Sequence, residues 1–208
     1  MIDYFVKHYD LLLSAFWEHL QIVFETLIIS VILASVISYL LLFSERATNI
    51  TVHIFSEIYS IPSLALFALL IPVLGLGNKT AIPVLVLYNQ YLLIRNIMTG
   101  MQNVDKSLLE AGRGMGMSKW QLVSRVQVPL AMPSIIAGIR LAIISTTGIA
   151  TIAATINAGG LGKILLSGLR TMNTYKIAWG TILSVVIAFT ADMLLKLLEK
   201  KVNTVKTK

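Results

Sequence analysis

The chain of 208 residues has no cysteine, which excludes disulfides, thiolate metal sites and cysteine nucleophiles and leaves its redox compartment open. Charge is scarce too. Asp, Glu, Lys and Arg make up 13% of the residues against 56% hydrophobic, whereas soluble domains carry about 25% charged and about 45–50% apolar residues. With a mean hydropathy of +0.81, this composition belongs to an integral membrane protein. Acidic residues are the rarer sign, 10 against 17 Lys and Arg, for a net charge of +7. The cations are scattered between apolar runs and form no stripe with interleaved aromatics, so a nucleic-acid partner is not expected and bilayer orientation explains them. His8, His19 and His53 lack metal-ligand spacing, so no metal is expected. There is also no Gly-x-x-x-x-Gly-Lys-Ser/Thr phosphate loop, no His-Glu-x-x-His and no Gly-x-Ser-x-Gly. Nucleotide hydrolysis and a membrane-embedded enzyme are both disfavoured, and no cofactor is expected on this chain.

What is present is a series of apolar runs separated by polar punctuation. Residues 1–20 mix aromatics, charges and leucines, as an interfacial segment does, and lack the basic-then-apolar order of a cleavable leader. Spans are then expected at about 21–43, 52–74, 80–98, 133–156 and 177–198, each close to the roughly 20 residues a bilayer core requires. In the second span Pro62 is expected to kink the helix one turn beyond Glu57. Glu57 either reaches interfacial water or shapes a path, and the residues alone leave both open. Asn89, Gln90 and Arg95 put polar groups inside the third span, where such groups face protein or a watery path. Pro133 is expected to open the fourth span. In it Ser145, Gly148, Thr151 and Thr155 recur at three- and four-residue steps and share one helix face. That face suits either close helix packing or the lining of a translocation path. Gly159, Gly160 and Gly162 then break the chain, as path-shaping or gating elements, before a segment too short and polar to span again. A basic tail is expected at 199–208.

Between the third and fourth spans lies a polar island, residues 104–129, that reads as a short helix, a glycine turn and a second amphipathic helix closed by Pro129. Small residues at Ala111, Gly112 and Gly114 let a partner approach the backbone, and Gly116 supplies the dihedrals of a sharp turn. If this loop is cytoplasmic, five spans leave the N-terminus outside and the tail inside. Ten Lys and Arg of the loops then fall inside and five outside, in keeping with the positive-inside tendency.

The spacing of Glu110, Ala111, Gly112, Gly116, Met117, Val126 and Pro129 resembles the EAA signature of ABC importer permeases, the loop that seats a membrane subunit on its ATPase. Gly112 stands where that family usually has a second Ala, Val126 replaces Ile, and Val128 replaces Leu before the proline. Ile61-Pro62-Ser63-Leu64-Ala65-Leu66, Pro129-Leu130-Ala131-Met132-Pro133 and Gly148-Ile149-Ala150-Thr151-Ile152-Ala153-Ala154 are similar to the branch of that family handling glycine betaine, carnitine and choline. Ala158-Gly159-Gly160-Leu161-Gly162 is shared with methionine-type permeases, which makes import of methionine or another amino acid the alternative. The resemblance implies an all-α type I importer permease with five transmembrane helices and a cytoplasmic coupling helix. It also implies two ATP-binding subunits that use the ATP, a second permease subunit identical or homologous to this one, an extracytoplasmic substrate-binding protein, and a lipid bilayer at the cell membrane. A cage for a methylated cation needs several convergent aromatic rings. The spans are expected to offer too few.

Overall fold

The computed structural model describes residues 1–206, with side chains to Lys201, and among these residues it is helical throughout, without strands. The expected tail is therefore seen as backbone only beyond Lys201, and Thr207 and Lys208 lie outside the described residues.

Helix α1 (Ile2–Leu41) runs unbroken through the boundary expected near residue 20, apart from a local distortion at His8. Positions 1–41 contain neither Gly nor Pro, so nothing in them ends a helix. The separate interfacial segment is thus the first part of the first long helix. Its last carbonyl, on Leu41, accepts from the Ser44 N–H and from the Thr48 hydroxyl, at 3.1 Å each. Ser44 then caps α2 (Glu45–Ser60) through the Ala47 N–H.

The expected second span is not one kinked helix. α2 and α3 (Ser63–Leu74) meet at 97° across Ile61 and Pro62, both extended. The cause is local. Proline drives the preceding residue out of the helical region and has no N–H to continue the ladder. The bend leaves the Ile61 carbonyl without a helical donor, and the Tyr88 hydroxyl supplies one at 2.7 Å. Together the bent pair still crosses the bundle. It starts after Phe43, whose ring lies 5.7 Å from Lys119 Nζ, and ends at Gly77, whose N–H bonds the Ile156 carbonyl at the opposite end.

α4 (Asn78–Gln102) is the most buried of the long apolar helices and packs against α1, α2, α3 and α7. α7 (Val128–Ile152) approaches it closely because Gly100 and Gly138 carry no side chain. A Cβ on Gly100 would sit 2.7 Å from Ser134 Cβ, and one on Gly138 would sit 2.7 Å from Asn96 Cβ. Where α1, α4 and α7 meet, the interior is polar. Asn89 bonds Ser30 and Thr146, Gln90 reaches the Ser30 and Val86 carbonyls, and His19 Nε2 lies 3.2 Å from the Thr147 carbonyl. Such bonds contribute about 0.6 kcal/mol each in a membrane, so their main effect is to set helix register. α8 (Leu161–Arg170) and α9 (Thr174–Lys206) complete the chain. α9 is held to α7 by Arg140, which pairs with Asp192 at 3.4 Å and Glu199 at 3.1 Å.

Candidate coupling surface and translocation path

The polar island folds as two short helices joined by a tight turn. α5 (Lys106–Gly114) starts at Asp105, whose carboxylate accepts the Ser107 N–H at 2.8 Å. That bond and the Ser107 side chain hold the Asp105 carboxyl below its ordinary pKa. The helix stops in a Schellman turn. The Gly116 N–H bonds the Arg113 carbonyl and the Met117 N–H bonds the Gly112 carbonyl, with Gly116 at φ +81. A Cβ at Gly116 would meet nothing within 4 Å, so the position requires glycine for its backbone and not for space. Gly112 is the converse. It is buried, and a Cβ there would lie 2.6 Å from Leu122 Cδ1. The departure from the family's usual Ala therefore has a local cause in the close packing of α5 on α6.

α6 (Lys119–Leu122) opens with a reciprocal capping box between Ser118 and Gln121. It continues through a π turn, Val123–Gln127, into α7, and a 3-10 turn, Ala153–Ile156, ends the rod. The helix is therefore neither closed at Pro129 nor opened at Pro133. Pro129 stands in the first turn of α7, Pro133 lies inside it, and the whole stretch Lys119–Ile156 forms one long helical run. The wider π turn just before Pro129 fits the loss of regular bonding that two missing N–H groups impose. A displacement of α6 is thereby carried directly into the bundle.

The outer face of this element is open. Glu110, Ala111, Arg113, Gly114 and Gly116 are exposed, as are the large apolar residues Leu108, Met115 and Trp120. Met117 and Val126 are half-buried beneath them. An exposed face that mixes a carboxylate, bare backbone and apolar side chains is suited to a protein partner.

On α7 the structure separates two faces that the sequence left merged. Thr146, Thr147, Ala142 and Ala150 are buried against α1 and α4. Gly148 and Thr155 are exposed, while Ser145 and Thr151 are half-buried beside them. The Thr151 and Thr155 hydroxyls donate to the Gly148 and Ile152 carbonyls of their own helical run, at 2.7 Å each, so their protons are already engaged. Glu57 is also exposed, 3.8 Å from His53 Nδ1. Pro62 makes the sharp α2–α3 corner.

Gly159, Gly160 and Gly162 are buried, the first two where α1 crosses the start of α8 and the third where α8 meets the end of α7. A Cβ on Gly159 would strike the Glu18 carboxylate, and one on Gly160 would lie 2.8 Å from His19 Nδ1. A Cβ on Gly162 would strike the Thr151 carbonyl. Glu18 in turn accepts the Gly160 N–H at 2.9 Å and pairs with Lys163 at 3.0 Å, placing a carboxylate at the N-terminus of α8. Sequence reading gave Glu18 and Lys163 no role, because 145 positions separate them.

The few aromatic rings of the spans include three tyrosines that pack on one another. The Tyr59 ring lies 5.7 Å from Tyr88 and 5.2 Å from Tyr91, and its hydroxyl is 3.5 Å from Ser145 Oγ. The only advance signal was the placement of Tyr88 and Tyr91 three residues apart on one helix face.

A helical bundle whose connecting loop is a capped, outward-facing pair of helices continuous with a span has the fold of type I ABC importer permeases. It superimposes on a chain of the inward-facing MetNI methionine ABC transporter with a TM-score of 0.85, covering 94% of this chain and 98% of that one at 21% identity. A chain of an amino acid ABC transporter with histidines matches at a TM-score of 0.77 and 21% identity, over 94% of this chain and 96% of that one. The chain belongs to the family of binding-protein-dependent transport system inner membrane components, whose model matches residues 21–204. It is 36% identical to the carnitine transport permease protein OpuCD of Listeria monocytogenes serotype 1/2a (strain 10403S), over 100% of this chain and 94% of that protein. It is 35% identical to the glycine betaine/carnitine/choline transport system permease protein OpuCB of Bacillus subtilis (strain 168), over 89% and 86%. The protein is thus a multi-pass membrane permease of a binding-protein-dependent transport system.

Proposed function

We propose that this permease is the membrane subunit of an ATP-driven importer for quaternary ammonium osmoprotectants: glycine betaine, carnitine or choline. The observation that carries this reading is similarity along the whole chain to permeases named for those substrates. The methionine alternative rests on the short Ala158-Gly159-Gly160-Leu161-Gly162 stretch and a likeness of fold at 21% identity, and has no comparable support.

In this reading the chain sits in the cell membrane with its N-terminus outside and its C-terminus in the cytoplasm. It pairs with a second permease subunit, and two separate ATP-binding subunits hydrolyse the ATP while an extracytoplasmic protein delivers substrate. The chain itself binds no cofactor. The exposed loop face around Glu110, Ala111, Gly112, Gly116 and Met117 docks in a groove of the ATPase. Closure of the ATPases pushes α6, and the rod through Val126 and Pro129 rocks α7 against its neighbours. The strip Ser145, Gly148, Thr151 and Thr155 lines the path between subunits, and its small, weakly polar groups suit a methylated cation that donates no hydrogen bond. Glu57 and Pro62 shape the path at the α2–α3 corner, Gly159 and Gly160 hold α8 against α1 beside it, and Gly162 holds it against the end of α7.

The test is uptake of labelled substrate into vesicles containing the permease, its ATPase, any partner permease and the binding protein. ATP-dependent accumulation of glycine betaine, carnitine or choline is expected, with no accumulation of methionine. Uptake of methionine alone refutes the substrate assignment.

A further inference from the structure

A polar cleft of about 390 Å³ opens between α2 and α4, with Asn49, His53, Ser56, Tyr91, Arg95 and Gln102 in its wall. Arg95 is exposed and stands about two turns before the end of α4 at Gln102. Among the described residues it forms no ion pair with a carboxylate. Its contacts are with Tyr91, whose hydroxyl accepts from the guanidinium and whose ring centroid lies 5.6 Å from it. An arginine within a span is costly and is placed there for a partner or a path. Next to it is the ring of Tyr91, which packs on Tyr59 with Tyr88 beyond, and Tyr59, outside the cleft wall, reaches Ser145 on α7. Tyr88 itself is buried, and its hydroxyl is engaged by the Ile61 carbonyl.

We propose that this cleft is a transit site for betaines, meaning molecules that join a carboxylate to a methylated ammonium over a short carbon chain. The proposal rests on the substrate reading above and narrows it. The planar guanidinium of Arg95 takes the carboxylate through paired charge-assisted hydrogen bonds. The face of Tyr91, the one tyrosine ring in the cleft wall, takes the methylated cation, which offers no hydrogen bond and is held by the ring quadrupole. Without ligand, Arg95 rests on Tyr91 as an internal cation. A carboxylate draws it off, and the ring face it leaves accepts the ligand's own cation. One consequence is discrimination. Choline carries the same cation with a hydroxyl in place of the carboxylate, so it meets Arg95 as a like charge and is disfavoured relative to glycine betaine and carnitine.

The test uses the assembled importer without its binding protein, with ligand binding read by saturation-transfer NMR on the methyl protons. Glycine betaine and tetramethylammonium are the probes. Arg95→Gln is expected to weaken glycine betaine roughly tenfold or more while leaving tetramethylammonium unchanged or tighter. Tyr91→Leu is expected to weaken both. If Arg95→Gln fails to assemble, Arg95→Lys, which keeps the charge and loses the fork, is expected to give a smaller loss confined to glycine betaine. Equal glycine betaine affinity in wild type and Arg95 variants, equal loss of both probes, or no binding by the wild type overturns the site. Vesicle uptake of glycine betaine by the complete wild-type importer separates the two readings: uptake with no Arg95 effect removes only this site, whereas no uptake of any methylated ammonium removes the substrate reading itself.

Discussion

Single positions in the coupling loop are constrained by different physics although they share a residue type. Gly116 lies in open space at φ +81, so substitution there is governed by the backbone. Gly116→Asn should retain ATPase co-purification, because Asn tolerates the left-handed region. Gly116→Val should lose it, since the strained turn costs about 1–2 kcal/mol and the β-branch adds to that. Gly112 has an ordinary backbone and no room. Gly112→Val should loosen the loop, and Leu122→Ala in the same chain should restore ATPase co-purification by opening space where the new side chain points. Rescue of Gly116→Val by Leu122→Ala, or failure to rescue Gly112→Val, contradicts this division. Composition and spacing mark both glycines as necessary, but they do not say which is held by dihedral and which by contact. That distinction exists only once α5 and α6 are folded together.

At the level of elements, the α2–α3 corner was half legible. Pro62 announces a disruption, and the extended state of Ile61 follows from it. The 97° turn does not follow from a proline alone. It persists because Tyr88, on α4, caps the Ile61 carbonyl that the break exposes. Tyr88→Phe keeps the ring and removes that donor, losing a part-buried hydrogen bond that contributes about 0.5–1.5 kcal/mol. The expected result is a lower detergent-solubilised melting temperature, with tetramethylammonium binding preserved because the ring of Tyr91 is untouched. An unchanged melting temperature means that the corner is held by packing of Leu66 and Phe67 alone. The rod from Lys119 to Ile156 shows the opposite case. Two prolines suggest a boundary, and the helix runs through both, Pro129 just after a π turn and Pro133 inside α7.

For the whole molecule, the ends of the bundle are assigned by contacts between distant segments. Phe43 lies near Lys119 at one end, and Gly77 bonds Ile156 at the other, so the bent pair runs from end to end of the bundle, and the prediction is that it crosses the membrane and that Asn78 emerges opposite the loop of α5 and α6. Since the native chain has no Cys, labelling of single introduced cysteines reads this directly. Ser118→Cys should react only from the cytoplasm. Asn78→Cys and Met172→Cys, the latter at a position 86% exposed, should react only from outside. Reaction of Asn78→Cys from the cytoplasm overturns the crossing of the bent pair.

The sequence by itself determined that the chain lives in a membrane, roughly where its long apolar helices run, and where the polar loop between two of them lies. Those properties depend on local quantities: mean hydropathy, the lengths of apolar runs, the positions of Pro and Gly, and a motif whose residues are near neighbours. Only the tertiary structure decided that Glu18 meets Gly160 and Lys163, that Asn89 joins Ser30 to Thr146, and that Tyr59 stacks beside Tyr91. Each of those contacts joins helices far apart in the chain. Their partners are chosen by the rotation and register of whole helices, set by close approaches such as Gly100 on Ser134, and no local pattern of residues encodes that choice.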